Sequence, residues 1–445
     1  MPAALSPSCA LRRGARPLTG SPADYDGLLE LAQNSRIVCI GEASHGTHDF
    51  YRVRGELTKR LITEAGFNAI AAEADWPDAY RLHRWVHGRG DDSDAEEALR
   101  DFLRFPQWMW RNADVLDFAG WLRHHNEAVP EERRVGFYGL DLYSLHASID
   151  AVLGCLQQAD PAAAARARDR YACFDVTSEP ERYGYLASLG LSRSCESEAV
   201  AQLVELQRRT AATFEGGALL EVDEAFFAEQ NARVVMNAEE YYRSSLGDSV
   251  TSWNLRDLHM ADTLDALLEH LARRVESPRL VVWAHNSHLG DARATEMGER
   301  GEHNLGQLVR QRHAGETCLI GFSTSLGTVT AASRWGGPAE RKLLKPALPG
   351  SWEATLARVA LPKFVVRMDR LGDEAREALR EPRLQRAVGV LYLPHTERMS
   401  HYFHARLTEQ FDAVIHLDRT RALEPLDRVA SWDTGEQPET YPTGL

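Results

Sequence analysis

The chain has 445 residues, 44% of them hydrophobic and 26% charged, which is ordinary for a globular protein with a sizeable core. Asp and Glu number 65 against 51 Lys and Arg, a formal charge of -14 that argues against a nucleic-acid binder working through bulk positive charge. No apolar run approaches the roughly 18 residues of a membrane span, and no apolar stretch follows Arg12, Arg13 and Arg16 to make a secretory signal.

The six cysteines include no Cys-x-x-Cys pair, and Cys39 and Cys318 sit inside apolar runs as small core residues. A disulfide framework is not expected, so the default compartment is reducing and cytoplasmic. In chain order, residues 1–20 are expected to form a loose tail. Residues 37–40, Ile-Val-Cys-Ile, are a short buried-strand run that breaks at Gly41. Glu42, Ser44, His45, Thr47 and His48 then follow closely, and a helical period runs through Tyr51, Leu57 and Leu61 to a Gly66 stop. A second strand is expected over 67–73, ending in Glu73, with Pro77 in the first turn of the helix after it. An aromatic stretch holds Phe102, Phe105, Trp108 and Trp110. A helix is expected over 112–127, and a third strand over 134–141 ends in Asp141.

From 146 to 275 the sequence is Ala-rich and charged with helical periodicity, a helical insertion expected to cap a cleft. Strands return at 279–288, ending in His285 and His288, then at 317–322, 327–332, 363–368, 387–393 and 413–417. The expected fold class is α/β: a mostly parallel central sheet flanked by helices. Its core would be built from 21–145 and 276–425, with a C-terminal tail over 426–445.

Four of these strands end in ionisable residues: Glu42 with His45, Glu73, Asp141, and His285 with His288. Ligands bind at the carboxyl ends of strands in open α/β sheets, so parallel neighbours would gather these side chains at one edge. Arg54, on the helix after His45, is placed to reach a substrate carbonyl or hold a carboxylate. Arg256 in the insertion is a weaker candidate of the same kind. Trp108 and Trp110 suit core or the wall of a cleft for a bulky ligand, and Asp141 suits loop structure as well as the site. No Gly-x-Ser-x-Gly, phosphate-binding Gly-rich loop or His-Glu-x-x-His occurs. Two chemistries remain. A histidine oriented by a carboxylate activates water, or the histidines and glutamates hold a divalent metal that does so.

The chain resembles the erythromycin esterase family. The resemblance is carried by Ile40-Gly-Glu-Ala-Ser-His-Gly-Thr-His-Asp-Phe-Tyr51, Ala72-Glu-Ala-Asp75 and Trp283-Ala-His-Asn-Ser-His-Leu289. Supporting stretches are Trp253-Asn-Leu-Arg-Asp-Leu-His-Met260 and His401-Tyr-Phe-His404. The resemblance implies an α/β core with a helical part, a cleft between them, and ester hydrolysis by a histidine-activated water without a covalent intermediate or cofactor. Motif by motif, it implies His45 as general base, Glu42 and Glu73 as supporting acids, Arg54 as the site arginine, and His285 and His288 as further site histidines. The expected partner is a small-molecule ester, a macrolide lactone among the candidates, with neither nucleic acid nor membrane. The rivals are a metal-dependent hydrolase or transferase acting on a polar biosynthetic substrate, and a non-enzymatic ligand- or haem-binding protein.

Overall fold

The computed structural model describes residues 5–214, 219–245, 249–429 and 432. Its strands are β1 (Ala15–Pro17), β2 (Ile37–Ile40), β3 (Ala69–Asp75), β4 (Gly136–Asp141), β5 (Leu280–Trp283), β6 (Thr317–Ala331), β7 (Glu340–Leu344), β8 (Lys363–Arg367), β9 (Arg383–Arg386), β10 (Tyr402–Ala405) and β11 (Ala413–Thr420). Nine of them form one sheet in the order β1-β8-β11-β6-β2-β5-β3-β4, with β7 paired to β6. The run from β11 to β4 is parallel throughout, and β1, β7 and β8 join antiparallel. The fold is therefore α/β with a mixed sheet that is parallel at its centre.

The central strands are buried along their whole length, which is why they read as apolar runs rather than alternating ones. Alternate residues feed the two faces. Val38 and Ile40 pack with Phe50, Val53 and Leu57 of the helix His48–Ala65, while Ile37 and Cys39 pack with Met260, Leu264 and Leu267 of the helix Ser249–Leu271. The helix His48–Ala65 ends where Gly66 adopts φ 71°, the left-handed conformation that glycine takes at little cost.

Between β4 and β5 the described chain is helical, running from Leu145–Ala159 to Ser249–Leu271. Val152, Tyr171, Phe174, Leu203 and Val235 give this region an apolar core of its own. Ser249–Leu271 leaves that region to lie on the sheet, carrying its N-terminal half to the carboxyl ends of the strands.

Several expectations need correction. Within the supposed tail 1–20, Pro7–Gly14 is a helix and β1 is an edge strand on β8; residues 1–4 lie outside the described residues. Ser6 accepts from the Cys9 amide, and Ala10 and Leu11 are wholly buried, so the segment is anchored by packing. The expected strands 317–322 and 327–332 are one strand, β6. Residues 387–393 form no strand and make only isolated bridges through Val388 and Leu391, the ladder lying just before them in β9. No disulfide framework is expected from the sequence, and one disulfide is present, joining Cys173 and Cys195. Of the expected C-terminal tail, Trp432 is buried with its indole N–H on Thr330 Oγ1, and 430, 431 and 433–445 lie outside the described residues. Among the described residues no helix is long and apolar enough to cross a membrane.

Candidate active site

The loop after β2 is shaped by close backbone approach. A Cβ at Gly41 would strike the Asn286 side chain, and one at Gly46 would strike the Thr330 carbonyl, so glycine is required at both. Between them the Asn286 amide donates to the Glu42 carbonyl (2.8 Å), and the Asn286 side chain donates to the Phe322 carbonyl (2.8 Å). These bonds tie the ends of β2, β5 and β6 together and present Glu42 and His45 beside His285.

His45 Nδ1 lies 2.8 Å from Glu42 Oε1. An ionised carboxylate only accepts, so Nδ1 carries the proton and Nε2 offers its lone pair to the cavity. Glu42 is held from behind by Arg54, with Nη1 3.2 Å from Oε2 and the guanidinium over the rings of Tyr51 (4.4 Å) and Trp283 (4.7 Å). Arg54 is 1% exposed and does not line the cavity. The expectation that it reaches a substrate carbonyl is therefore replaced by the other one, a carboxylate holder.

Glu73, from β3, stands opposite His45, with Oε1 3.9 Å from His45 Nε2 and 3.4 Å from His288 Nε2. Oε1 accepts from Arg256 Nη2 at 2.7 Å and Oε2 from the His285 amide at 2.9 Å. Burial alone would raise its proton affinity. The charges of His288, Arg256 and His45, with the His285 amide, overcome that and hold Glu73 well below the usual carboxylate range. Glu73 does not orient His45; Glu42 does. Asp141, at the end of β4, takes Arg256 as a two-pronged partner at 2.9 and 2.7 Å. Although burial opposes it, the Arg256 charge lowers the Asp141 pKa.

His288 repeats the arrangement of His45. Its Nδ1 faces both Asp257 oxygens at 3.0 and 2.9 Å, its ring stacks on Trp253 (4.5 Å, 7°), and Arg256 Nη1 donates to Nε2 at 3.0 Å. Burial would lower the His288 pKa, but Asp257 and Glu73 raise it. His285 has the opposite setting. Burial and the charge of His45 push it down to about 3, so it is neutral at ordinary pH. The Ser287 amide donates to His285 Nδ1 at 3.2 Å, which leaves the proton on Nε2. That nitrogen is buried without a hydrogen-bond partner of ordinary geometry.

These groups line one cavity of about 360 Å³. It brings together His45, Glu73, Asp141, Arg256, His285, His288 and Trp110, with Glu42 directly behind. Trp108 is not part of it. That side chain turns to a neighbouring cavity and packs edge-on against Phe105 (5.4 Å). Sequence reasoning gave no role to Asp257, Trp253, Asp75, Asp78, Arg104, Tyr143 or Trp335. For Asp257 and Trp253 the available signal was their place beside Arg256 in a stretch already singled out; for Asp75 it was the strand end shared with Glu73.

The donor set does not fit a divalent cation. His45 Nδ1, both Asp257 oxygens and both Asp141 oxygens are committed to protein partners, and the Arg256 guanidinium occupies the space between Glu73, Asp141 and His288. Among the described residues no cluster of three or more His, Cys, Asp or Glu is arranged to hold a metal.

The chain is 23% identical to erythromycin esterase type II of Escherichia coli, over 60% of this chain and 63% of that protein. The match thus spans less than two thirds of that relative. It is 22% identical to the Bacillus subtilis (strain 168) protein named "Putative hydrolase YbfO", over 92% of this chain and 90% of the other. Among solved structures, one named as a succinoglycan biosynthesis protein superposes with TM-score 0.72 at 21% identity, covering 94% and 97% of the two chains. A histidine-to-asparagine mutant of erythromycin esterase EreC in its open conformation superposes with TM-score 0.63 at 17% identity, covering 91% and 95%. At these identities the structural matches establish shared fold alone. The family model for erythromycin esterase matches residues 62–420. The chain belongs to the erythromycin esterase family.

Proposed function

We propose that this protein is a hydrolase that cleaves a small-molecule carboxylic ester with a water activated by His45. Family membership and the curated relatives support a hydrolase. The observation that carries the finer reading is the Glu42–His45 pair at 2.8 Å, its free Nε2 facing a cavity rimmed by Glu73 and two further histidines. His45 Nε2 takes a proton from water as the water oxygen bonds to the acyl carbon. Glu42 and the ionised Glu73 flank the resulting imidazolium and stabilise its charge. His285 Nε2–H, which makes no full hydrogen bond although the Ala43 carbonyl is close, donates to the developing oxyanion. The tetrahedral species collapses as the carbon–alkoxy bond breaks. The proton on His45 passes to the leaving oxygen, giving a carboxylic acid and an alcohol with the base restored.

A macrolide lactone is one ester of this class, and a linear ester is another. Mass spectrometry of erythromycin and a panel of simple esters, incubated with purified protein, tests the reading. The expected outcome is a mass gain of one water, or release of acid and alcohol, that persists in the presence of chelator. Chelator-sensitive turnover would transfer the case to a metal mechanism.

A further inference from the structure

Arg104 and Arg256 line the cavity, and both carry its carboxylates. Arg104 holds Asp75 through two hydrogen bonds at 2.7 and 3.0 Å, and Arg256 holds Asp141 and Glu73 while donating to His288 Nε2. Both guanidinium carbons lie 4.8 Å from the centre of one ring, that of Tyr143. Tyr143 stands just past Asp141, at the carboxyl end of β4, and lines the same cavity. The helix Leu219–Ser244 fixes it from behind. Tyr241 packs edge-on against the ring at 5.3 Å, the two hydroxyls lie 3.1 Å apart, and the Tyr242 hydroxyl donates to the Tyr143 carbonyl at 3.2 Å. Burial pushes the Tyr143 phenol well above its usual pKa, so the ring is neutral at ordinary pH. A neutral aromatic face draws a guanidinium onto it, most strongly where water is excluded.

We propose that Tyr143 is a positioning residue: its ring holds Arg256 in the place from which one guanidinium reaches Glu73, Asp141 and His288 together. This rests on reading the cavity as the ester site. Glu73 must stay ionised beside His45 to stabilise the imidazolium, and Arg256 is one of the charges that keep it so. His288 Nε2 accepts from Arg256, a bond that only the neutral ring can make. Arg256 held in place therefore opposes protonation of His288, whereas Asp257 and Glu73 favour it. Because Tyr241 and Tyr242 support Tyr143, the helical region sets the geometry of residues on the strands through this one ring.

The test follows the titration of His288 by NMR of histidine-labelled protein. It compares wild type, Tyr143→Phe, Tyr143→Leu and a protein carrying pentafluorophenylalanine at position 143. Tyr143→Phe keeps the aromatic face and loses only the hydroxyl contact, while Tyr143→Leu removes the face. The fluorinated ring keeps close to the same shape and reverses the charge distribution of the face. The expected result is a His288 midpoint near wild type in Tyr143→Phe. In Tyr143→Leu and the fluorinated protein it should rise by about 0.5 pH unit or more. On an ester that is turned over, kcat in those two proteins should fall about tenfold or more with KM little changed.

A ring that merely packed the helical region onto the sheet would lower stability and leave His288 alone. A midpoint that stays or falls in Tyr143→Leu, or Tyr143→Phe and fluorinated proteins that behave alike, would therefore overturn the role. If Tyr143→Leu does not fold, the fluorinated ring decides alone. The midpoint is read without substrate, so a protein that hydrolyses no ester would defeat the hydrolase reading separately from this one.

Discussion

At the scale of single residues, the site is two carboxylate-held histidines facing one carboxylate. Glu42 sets His45, Asp257 sets His288, and Glu73 Oε1 lies within 4 Å of Nε2 of both rings. Glu42→Gln would let Nδ1 accept instead of donate and so place the proton on the wrong nitrogen. Steady-state kinetics on a turned-over ester should show kcat falling by about a hundredfold or more with KM little changed; an unchanged kcat would contradict the tautomer assignment. Arg54→Met would leave Glu42 buried beside no cation. Urea unfolding should show a loss of about 3–5 kcal/mol, against a loss near zero if the pair were incidental. His45, Glu73, His285 and His288 were legible in sequence because each sits at the end of an apolar strand run, where a parallel sheet opens. Asp257 and Trp253 were not, since which face of a long helix meets the sheet is decided by packing more than a hundred positions from β4 in the chain.

At the scale of elements, apolar period and breakers placed β2, the helix His48–Ala65 and β5, because buried parallel strands are continuous apolar runs and Gly66 marks a helix end. The N-terminal helix Pro7–Gly14 escaped notice. It has only eight residues, and its apolar contribution is mainly Ala10 and Leu11, too little periodicity to separate from a tail. If it is integral to the fold, Leu11→Ala should lower stability by about 2–5 kcal/mol in urea titration; a loss below about 0.5 kcal/mol would return the segment to a loose tail. The run 387–393 shows the converse error. Its composition suits a strand, but ladder pairing needs a neighbour along its length, and here only Val388 and Leu391 find one. The Cys173–Cys195 pairing depends on how helices in the insertion meet, which spacing does not encode.

At the scale of the molecule, the strands converge on one cavity while the helical region supplies Trp253 and Arg256 as its far wall and Asp257 behind His288, so core and insertion must stay docked for the site to exist. Buried histidines make the stability of the fold pH-sensitive. Burial pushes His87, His259 and His401 down to about 4 and, with the charge of His45, His285 to about 3. In the unfolded chain each would titrate near about 6.5. Their folded values are depressed, so the unfolded state binds more protons. Stability is present above about pH 6.5 and is lost as pH falls toward about 4, each group contributing up to about 1.4 kcal/mol per pH unit. His288, whose pKa is raised, opposes this trend. The urea midpoint should therefore fall steeply between about pH 6.5 and about pH 4.5, and a flat midpoint there would contradict the burial of these groups as neutral rings. The central claim, that His45 activates the water, is tested most directly by comparing ester hydrolysis by wild type and His45→Asn proteins of matched folded content. A drop in kcat of about 10²–10⁴-fold is predicted; activity within about twofold of wild type would contradict it.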